Sequence, residues 1–317
     1  MRLTFWGTGE FGGPALRALH AAGHEIVRVI SQPDRPAGRG MAVRPTPIHA
    51  LAAELGLPHV QSEDVNAIPP AELIGSAELG VVVAFGQKLG PRLLHASPRG
   101  FVNIHASLLP KYRGAAPIQW AIIEGESTTG VTVFQLDERW DAGAVWGRRT
   151  TPIGETETAG ELHDRLAALG AELIVKVVTA IHRGTIQPVP QDPSQATRAP
   201  KLTPAHRRLD LAQPAARVAR RINGLWPWPA ATCRLSRPDG SALRVQLARA
   251  RVAADAAPQP APHEPGEFCS DGSVQTAEGR IRILEIKPAG RGLMSFEDFA
   301  RGHLVTPPAR LLPLDEP

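Results

Sequence analysis

Short apolar runs alternate with amphipathic stretches through the first half of the chain. Residues 3–6, 25–31, 79–84 and 101–105 are short and nearly continuous in apolar character, as strands buried on both faces are. Between and after them, residues 14–22, 47–55, 91–96 and 117–124 predict helices. Each has a proline near its first turn, where the missing N–H has no intrahelical partner to lose. This alternation predicts an α/β domain with a parallel sheet and helices on both faces. Two further runs, 131–136 and 144–149, predict strands near a sheet edge. A long helix follows over 158–182, where Leu162, Leu166, Leu169, Leu173, Val177 and Ala180 recur at spacings of three and four.

The pattern then changes. Residues 186–205 are rich in proline and polar side chains and predict an extended connector. Beyond it comes one helix, 214–223, and then strand-like runs at 231–235, 243–248, 273–275 and 281–286. Turn signals such as Pro238-Asp239-Gly240 and Asp271-Gly272 separate them, which predicts a small all-β barrel. Residues 253–265, rich in Ala and Pro, predict a loop within it. The expected organisation is a first domain over 1–186, a linker over 187–205 and a second domain over 206–317.

No apolar run approaches the roughly 18 residues that span a bilayer. The start of the chain lacks the apolar core and cleavage site of a signal peptide, so a cytoplasmic location is expected. Cys233 and Cys269 stand far apart, with neither metal-ligand spacing nor a disulfide framework, and are expected to be packing residues. The net charge is +4, but between residues 201 and 251 there are 11 basic and 2 acidic side chains. That excess suits a polyanionic partner, or a sequence that uses Arg as its ordinary surface residue.

Three segments carry candidate chemistry. Gly7-Thr8-Gly9-Glu10-Phe11-Gly12 follows the first strand with the glycine spacing of a dinucleotide site. The second strand lacks the terminal acidic residue that would bind ribose, and runs instead into a Pro/Gly loop. A structural strand-to-helix turn is therefore the expected role. Asn103 and His105, two apart on one strand, project to the same side at its carboxyl end, where open α/β sheets bind ligands. An amide donor beside an imidazole suits a reaction that develops negative charge on a carbonyl oxygen. Asp141, in the turn between the two edge strands, is either an ordinary turn residue or the group that tunes His105.

Asn103-x-His105-x-Ser107-Leu108-Leu109-Pro110, then Arg113-Gly114-Ala115-Ala116-Pro117-Ile118-Gln119, then Asp141-x-Gly143, resembles the folate-dependent formyltransferases. Further landmarks narrow the resemblance to the branch acting on initiator methionyl-tRNA. They are the loop 32–40 (Gln-Pro-Asp-Arg-Pro-Ala-Gly-Arg-Gly), Ala199-Pro200-Lys201-Leu202, Trp226-Pro227-Trp228-Pro229 and Lys287-Pro288-Ala289-Gly290. The resemblance runs from about residue 4 to residue 294. It implies a Rossmann-like formyltransferase domain followed by an OB-like barrel that binds tRNA. It implies 10-formyltetrahydrofolate as co-substrate; a monomer with no metal and no membrane association is expected.

By the same resemblance Asn103, His105 and Asp141 are catalytic. Phe85, Gly86 and Gln87 line the pteridine pocket, and Ser107, Leu108, Leu109 and Pro110 bind folate, with a cis Leu109–Pro110 bond. Arg35, Arg39, Arg44 and Lys201 meet tRNA. Trp226 and Trp228 are expected to wedge the linker rather than stack on bases. The sequence departs from the family pattern at Met41-Ala42-Val43, where lysines are common. It departs also at Trp140, Ala142 and Ala144 around Asp141, and at Phe85 in place of Tyr. Transfer to a small amine, hydrolysis to formate, a nucleotide-dependent oxidoreductase and an RNA-binding protein with an inactive enzyme domain are the alternatives.

Overall fold

The computed structural model describes residues 1–37, 42–254, 264–303 and 305–314. The elements run β1 (Arg2–Gly7), α1 (Gly13–Ala21), β2 (Glu25–Ser31), β3 (Arg35–Ala37), β4 (Ala42–Arg44), α2 (Pro47–Glu54), β5 (His59–Gln61), α3 (Pro70–Ile74) and β6 (Leu79–Val83). They continue with α4 (Pro91–Leu94), β7 (Phe101–His105), β8 (Arg113–Gly114), α5 (Pro117–Glu124), β9 (Thr128–Gln135), β10 (Val145–Pro152), α6 (Ala159–Arg183) and β11 (Arg198–Ala199). The rest are α7 (Ala215–Leu225), β12 (Ala231–Ser236), β13 (Ala242–Val252), β14 (Val274–Gln275), β15 (Arg280–Pro288), β16 (Met294–Ser295), α8 (Phe296–Gly302) and β17 (Arg310–Pro313).

The chain forms two compact units. The first comprises Met1–Gly114, Thr129–Thr151 and His163–Arg198; the second comprises Ala115–Thr128, Pro152–Leu162 and Ala199–Pro317. The first unit is built on a seven-stranded sheet in the order β10-β9-β7-β6-β1-β2-β5. Strands β5, β2, β1, β6 and β7 pair in parallel, while β9 runs antiparallel to β7. The sheet is therefore mixed, with the two strands expected near the edge lying at one edge. Leu3, Phe5 and Trp6 of β1 are fully buried beneath helices, as a central parallel strand requires.

The short elements β3, β4, β5 and α3 are absent from the sequence reading; segments of three to five residues hold too few positions for a period to stand out from chance. Helix α8 was missed despite an available signal. The Ser295 side chain accepts from the Asp298 N–H, with Glu297 and Asp298 in the first turn.

The second unit holds an antiparallel sheet in the order β14-β15-β13-β12-β17, with β16 added beside β15. Phe268 bridges to Val274, and Glu267 bridges to Arg310. The segment carrying them thus joins the β14 edge to the β17 edge and closes the sheet into a barrel. Gly266 makes this possible: its φ is 97°, and a Cβ there would meet the Leu311 carbonyl at 2.2 Å. Ala215, Val218, Ala219 and Ile222 form the buried stripe of α7 and join one apolar cluster with Leu235, Leu247 and Ile283. Trp228 is 52% exposed, while Trp226 is partly buried.

Candidate active site

Parallel pairing brings the carboxyl ends of β1, β6 and β7 to one edge of the first sheet. The glycine turn after β1 is structural there. Its Thr8 and Gly9 N–H groups donate to the Ala84 carbonyl at 3.3 and 3.5 Å, not outward to a phosphate. A Cβ on Gly7 would stand 2.9 Å from the Val83 carbonyl, so the glycine serves close packing. Asp34, just past β2, is also engaged. Burial alone would raise its carboxyl, but hydrogen bonds from the Thr46 N–H, His49 and Gln61 outweigh burial and hold it below its ordinary range.

Asn103 and His105 occupy β7 between Val82 of β6 and Phe134 and Thr132 of β9. Asn103 is half-buried, and His105 is 6% exposed. The His105 Nε2 lies 2.8 Å from the carbonyl oxygen of Tyr112. A carbonyl can only accept, so Nε2 carries a hydrogen and the neutral ring keeps its lone pair on Nδ1. Nδ1 faces the Asp141 Oδ2 at 3.9 Å. That separation is too long for a direct hydrogen bond, but it allows charge interaction or one bridging water. The same Asp141 oxygen, Oδ2, accepts a hydrogen bond from the Gly114 N–H at 2.8 Å.

The two groups that present this pair adopt unusual backbone. Tyr112 has φ 59° and Asp141 has φ 48°. Left-handed conformation costs a non-glycine residue roughly 1–2 kcal/mol, less for Asp, and persists where its surroundings hold it. Gly143 closes the Asp141 turn against β9, with its Cα so near the Gln135 carbonyl that a Cβ would lie 1.8 Å from that oxygen.

The expected folate residues flank this edge. Phe85 is buried and packs edge-on against Trp6, with ring centroids 5.6 Å apart. Its carbonyl accepts from Thr8 Oγ1 and from Gln32 Nε2. Gly86 turns with φ 83°, and Gln87 clamps Ser62 O and Val65 N through its side chain. A turn held this rigidly can offer backbone groups in fixed positions to a flat heteroaromatic ring. The Leu109–Pro110 bond is cis. Ser107 is fully buried, and its hydroxyl donates to the Lys111 carbonyl at 2.6 Å. It shapes the loop from within, as does Thr132, whose hydroxyl donates to Ser107 O and accepts from Leu109 N–H.

Of the expected tRNA residues, Arg39 lies outside the described residues. Arg35 and Arg44 are exposed and stand opposite each other in register on the β3–β4 ribbon. Like charges placed directly across a ribbon repel, an arrangement that an anion relieves. Lys201 is exposed in the second unit.

Sequence reasoning missed four contributors to the site. They are the Tyr112 carbonyl, the Gly114 N–H, Thr132 and Gln191. The backbone groups carry no residue-type signal, and the two side chains sit in a strand and a connector where their types are ordinary.

The family described as formyl transferase matches residues 1–178, and its C-terminal domain matches residues 201–304. The chain is 42% identical over 316 residues to the methionyl-tRNA formyltransferase of Heliobacterium modesticaldum, covering 97% of this chain and 98% of that one. It is 42% identical over 315 residues to the methionyl-tRNA formyltransferase of Acidiphilium cryptum, covering 98% of this chain and all of the other, 100%. Among solved structures, HypX from Aquifex aeolicus in complex with tetrahydrofolic acid matches 96% of this chain with a TM-score of 0.61 and 20% identity. The match spans 48% of the HypX chain, and it is a likeness of fold.

Proposed function

The chain belongs to the formyl transferase family, and from that premise we propose that Asn103, His105 and Asp141 carry out the transfer. The reaction moves the formyl group of 10-formyltetrahydrofolate to the free amino group of methionine on initiator methionyl-tRNA. The observation that carries the assignment is the 3.9 Å approach of the Asp141 carboxylate to His105 Nδ1, beside a half-buried Asn103 on the same strand.

Folate supplies the activated formyl group, and the protein supplies donors and a proton acceptor. The Asn103 amide donates to the formyl oxygen as negative charge gathers there. With Nε2 fixed on Tyr112, Nδ1 is the one ring nitrogen able to take or give a proton. The neutral ring takes the proton that the methionine ammonium loses before its neutral amine attacks the formyl carbon. The charged ring then donates to the oxyanion, whose collapse breaks the bond to folate N10 and releases tetrahydrofolate. Asp141 is the counter-charge for that cationic ring and, directly or through water, a second proton acceptor. The buried flank of His105 limits water at the reacting carbon.

Around this centre, Phe85, Gly86, Gln87 and Ser107 to Pro110 form the folate site in our reading, and Arg35, Arg39, Arg44 and Lys201 contact tRNA phosphates. The functional modules are 1–186 for catalysis, 187–205 as linker and 206–317 for tRNA. We place the protein in the cytoplasm as a monomer. No helix among the described residues is long and apolar enough to cross a membrane.

The test is single-turnover transfer of labelled formyl from 10-formyltetrahydrofolate to charged initiator tRNA. Asn103→Ala should slow it by roughly 10²–10³, and His105→Ala by roughly 10²–10⁴. Wild-type rates in both variants would remove the assignment.

A further inference from the structure

Residues 187–205 are the expected connector, yet one of their side chains, lying between the two family-matched segments, reaches the catalytic turn. Gln191 Nε2 donates to the Asp141 carbonyl at 2.9 Å and to the Gly143 carbonyl at 2.8 Å. Its Oε1 accepts from Arg113 Nη2 at 2.7 Å and Nε at 3.2 Å. Arg113 immediately precedes Gly114, whose N–H holds the Asp141 carboxylate.

One planar amide therefore grips both ends of the relationship that matters. It pins the left-handed turn carrying Asp141, and it ties down the strand that supplies the carboxylate's hydrogen-bond donor. The requirement is chemically narrow, because two donors and one acceptor must sit on a single short side chain. Glu at 191 would turn lone pairs toward two carbonyls. Leu would lack every bond.

We infer that Gln191 is a positioning residue that sets the Asp141 carboxylate at its distance from His105. It acts through the Asp141 backbone and Arg113, and touches no reacting atom. The inference rests on the reading of Asp141 as catalytic. Because catalytic groups must be held within a fraction of an ångström, releasing the turn should cost about 10²-fold in kcat.

The experiment compares full-length Gln191→Leu, Gln191→Glu and Asp141→Asn with the wild type. It measures kcat across pH, KM for 10-formyltetrahydrofolate and for Met-tRNA, and thermal unfolding. We expect both Gln191 variants to fold, to lose kcat at unchanged KM, and to shift a limb of the pH–kcat profile, because the His105–Asp141 separation changes. Gln191→Glu retains a partner for Arg113, so it distinguishes loss of the two donors from loss of that pairing. An unshifted profile, a change in KM alone, or loss of activity only in proportion to unfolding would overturn the inference. Wild-type behaviour of both Gln191 variants beside an impaired Asp141→Asn would do the same and leave the active-site reading standing. A fully active Asp141→Asn would instead sink that reading itself.

Discussion

His105 donates its Nε2 hydrogen to the Tyr112 carbonyl, which leaves Nδ1 as the nitrogen that faces Asp141. The neutral ring should therefore be the Nε2–H tautomer, visible by ¹⁵N NMR as a protonated Nε2 and an unprotonated Nδ1. His105→Gln extends an amide toward the Nε2 position and can keep the Tyr112 bond, but it puts no base at Nδ1. It should fold like the wild type and lose roughly 10²–10⁴ in turnover. A His105→Gln enzyme of ordinary rate would show that Nδ1 handles no proton.

Gly143 is the tightest point of the Asp141 turn. A methyl group there would overlap the Gln135 carbonyl, 1.8 Å from the new carbon, so the backbone must move. Since this movement displaces Asp141 directly, Gly143→Ala should reduce turnover by about 10²-fold or more. Single-turnover kinetics together with thermal unfolding check this.

The facing pair Arg35 and Arg44 should behave as phosphate contacts. Arg35→Ala and Arg44→Ala should each weaken tRNA binding and reduce the slope of log Kd against log salt by up to about one. Arg39→Ala, in the same loop sequence, should do likewise. Binding titrations at several salt concentrations give the slopes, and parallel lines for wild type and variants would exclude the ribbon from the RNA interface.

The second unit contains an acid-sensitive junction. Arg249, at a bulge between β13 and β15, binds Glu161 through two nitrogens at 2.7 and 3.0 Å and Glu285 at 2.8 Å. The hydrogen bonds from Arg249, helped by Thr158, hold the Glu161 carboxyl down at about 2, against an ordinary 4.5, despite an opposing effect of burial. A lowered folded-state value means that the stabilisation is complete above pH 4.5 and fades as pH falls toward 2. The Glu161 side chain is 50% exposed, so solvent screens the pair and its contribution is below about 1 kcal/mol. Glu161→Gln should lower Tm slightly at pH 7, with the gap closing below pH 4.5. A gap that widens in acid would contradict the assignment.

Cys233 lies fully within the barrel core, and burial pushes its thiol up to about 12. Cys269 is also buried. Neither should react with a thiol reagent at pH 8 until the protein unfolds, which a reagent-release assay with and without denaturant would show.

The sequence by itself determined what local chemistry can express. The length and largely apolar character of the buried runs marked β1, β2, β6 and β7, because a strand covered on both faces is nearly continuous in apolar residues. The two-residue period puts Asn103 and His105 on one side of β7. The spacing of α6 was equally plain. Tertiary structure alone decided which way β9 runs beside β7, how residues near 267 close the barrel, and that Gly114 and Gln191 fasten the Asp141 turn. These are pairings between distant segments, made largely by backbone groups that every residue possesses. Periodicity records which face of an element is buried and says nothing about which carbonyl meets it.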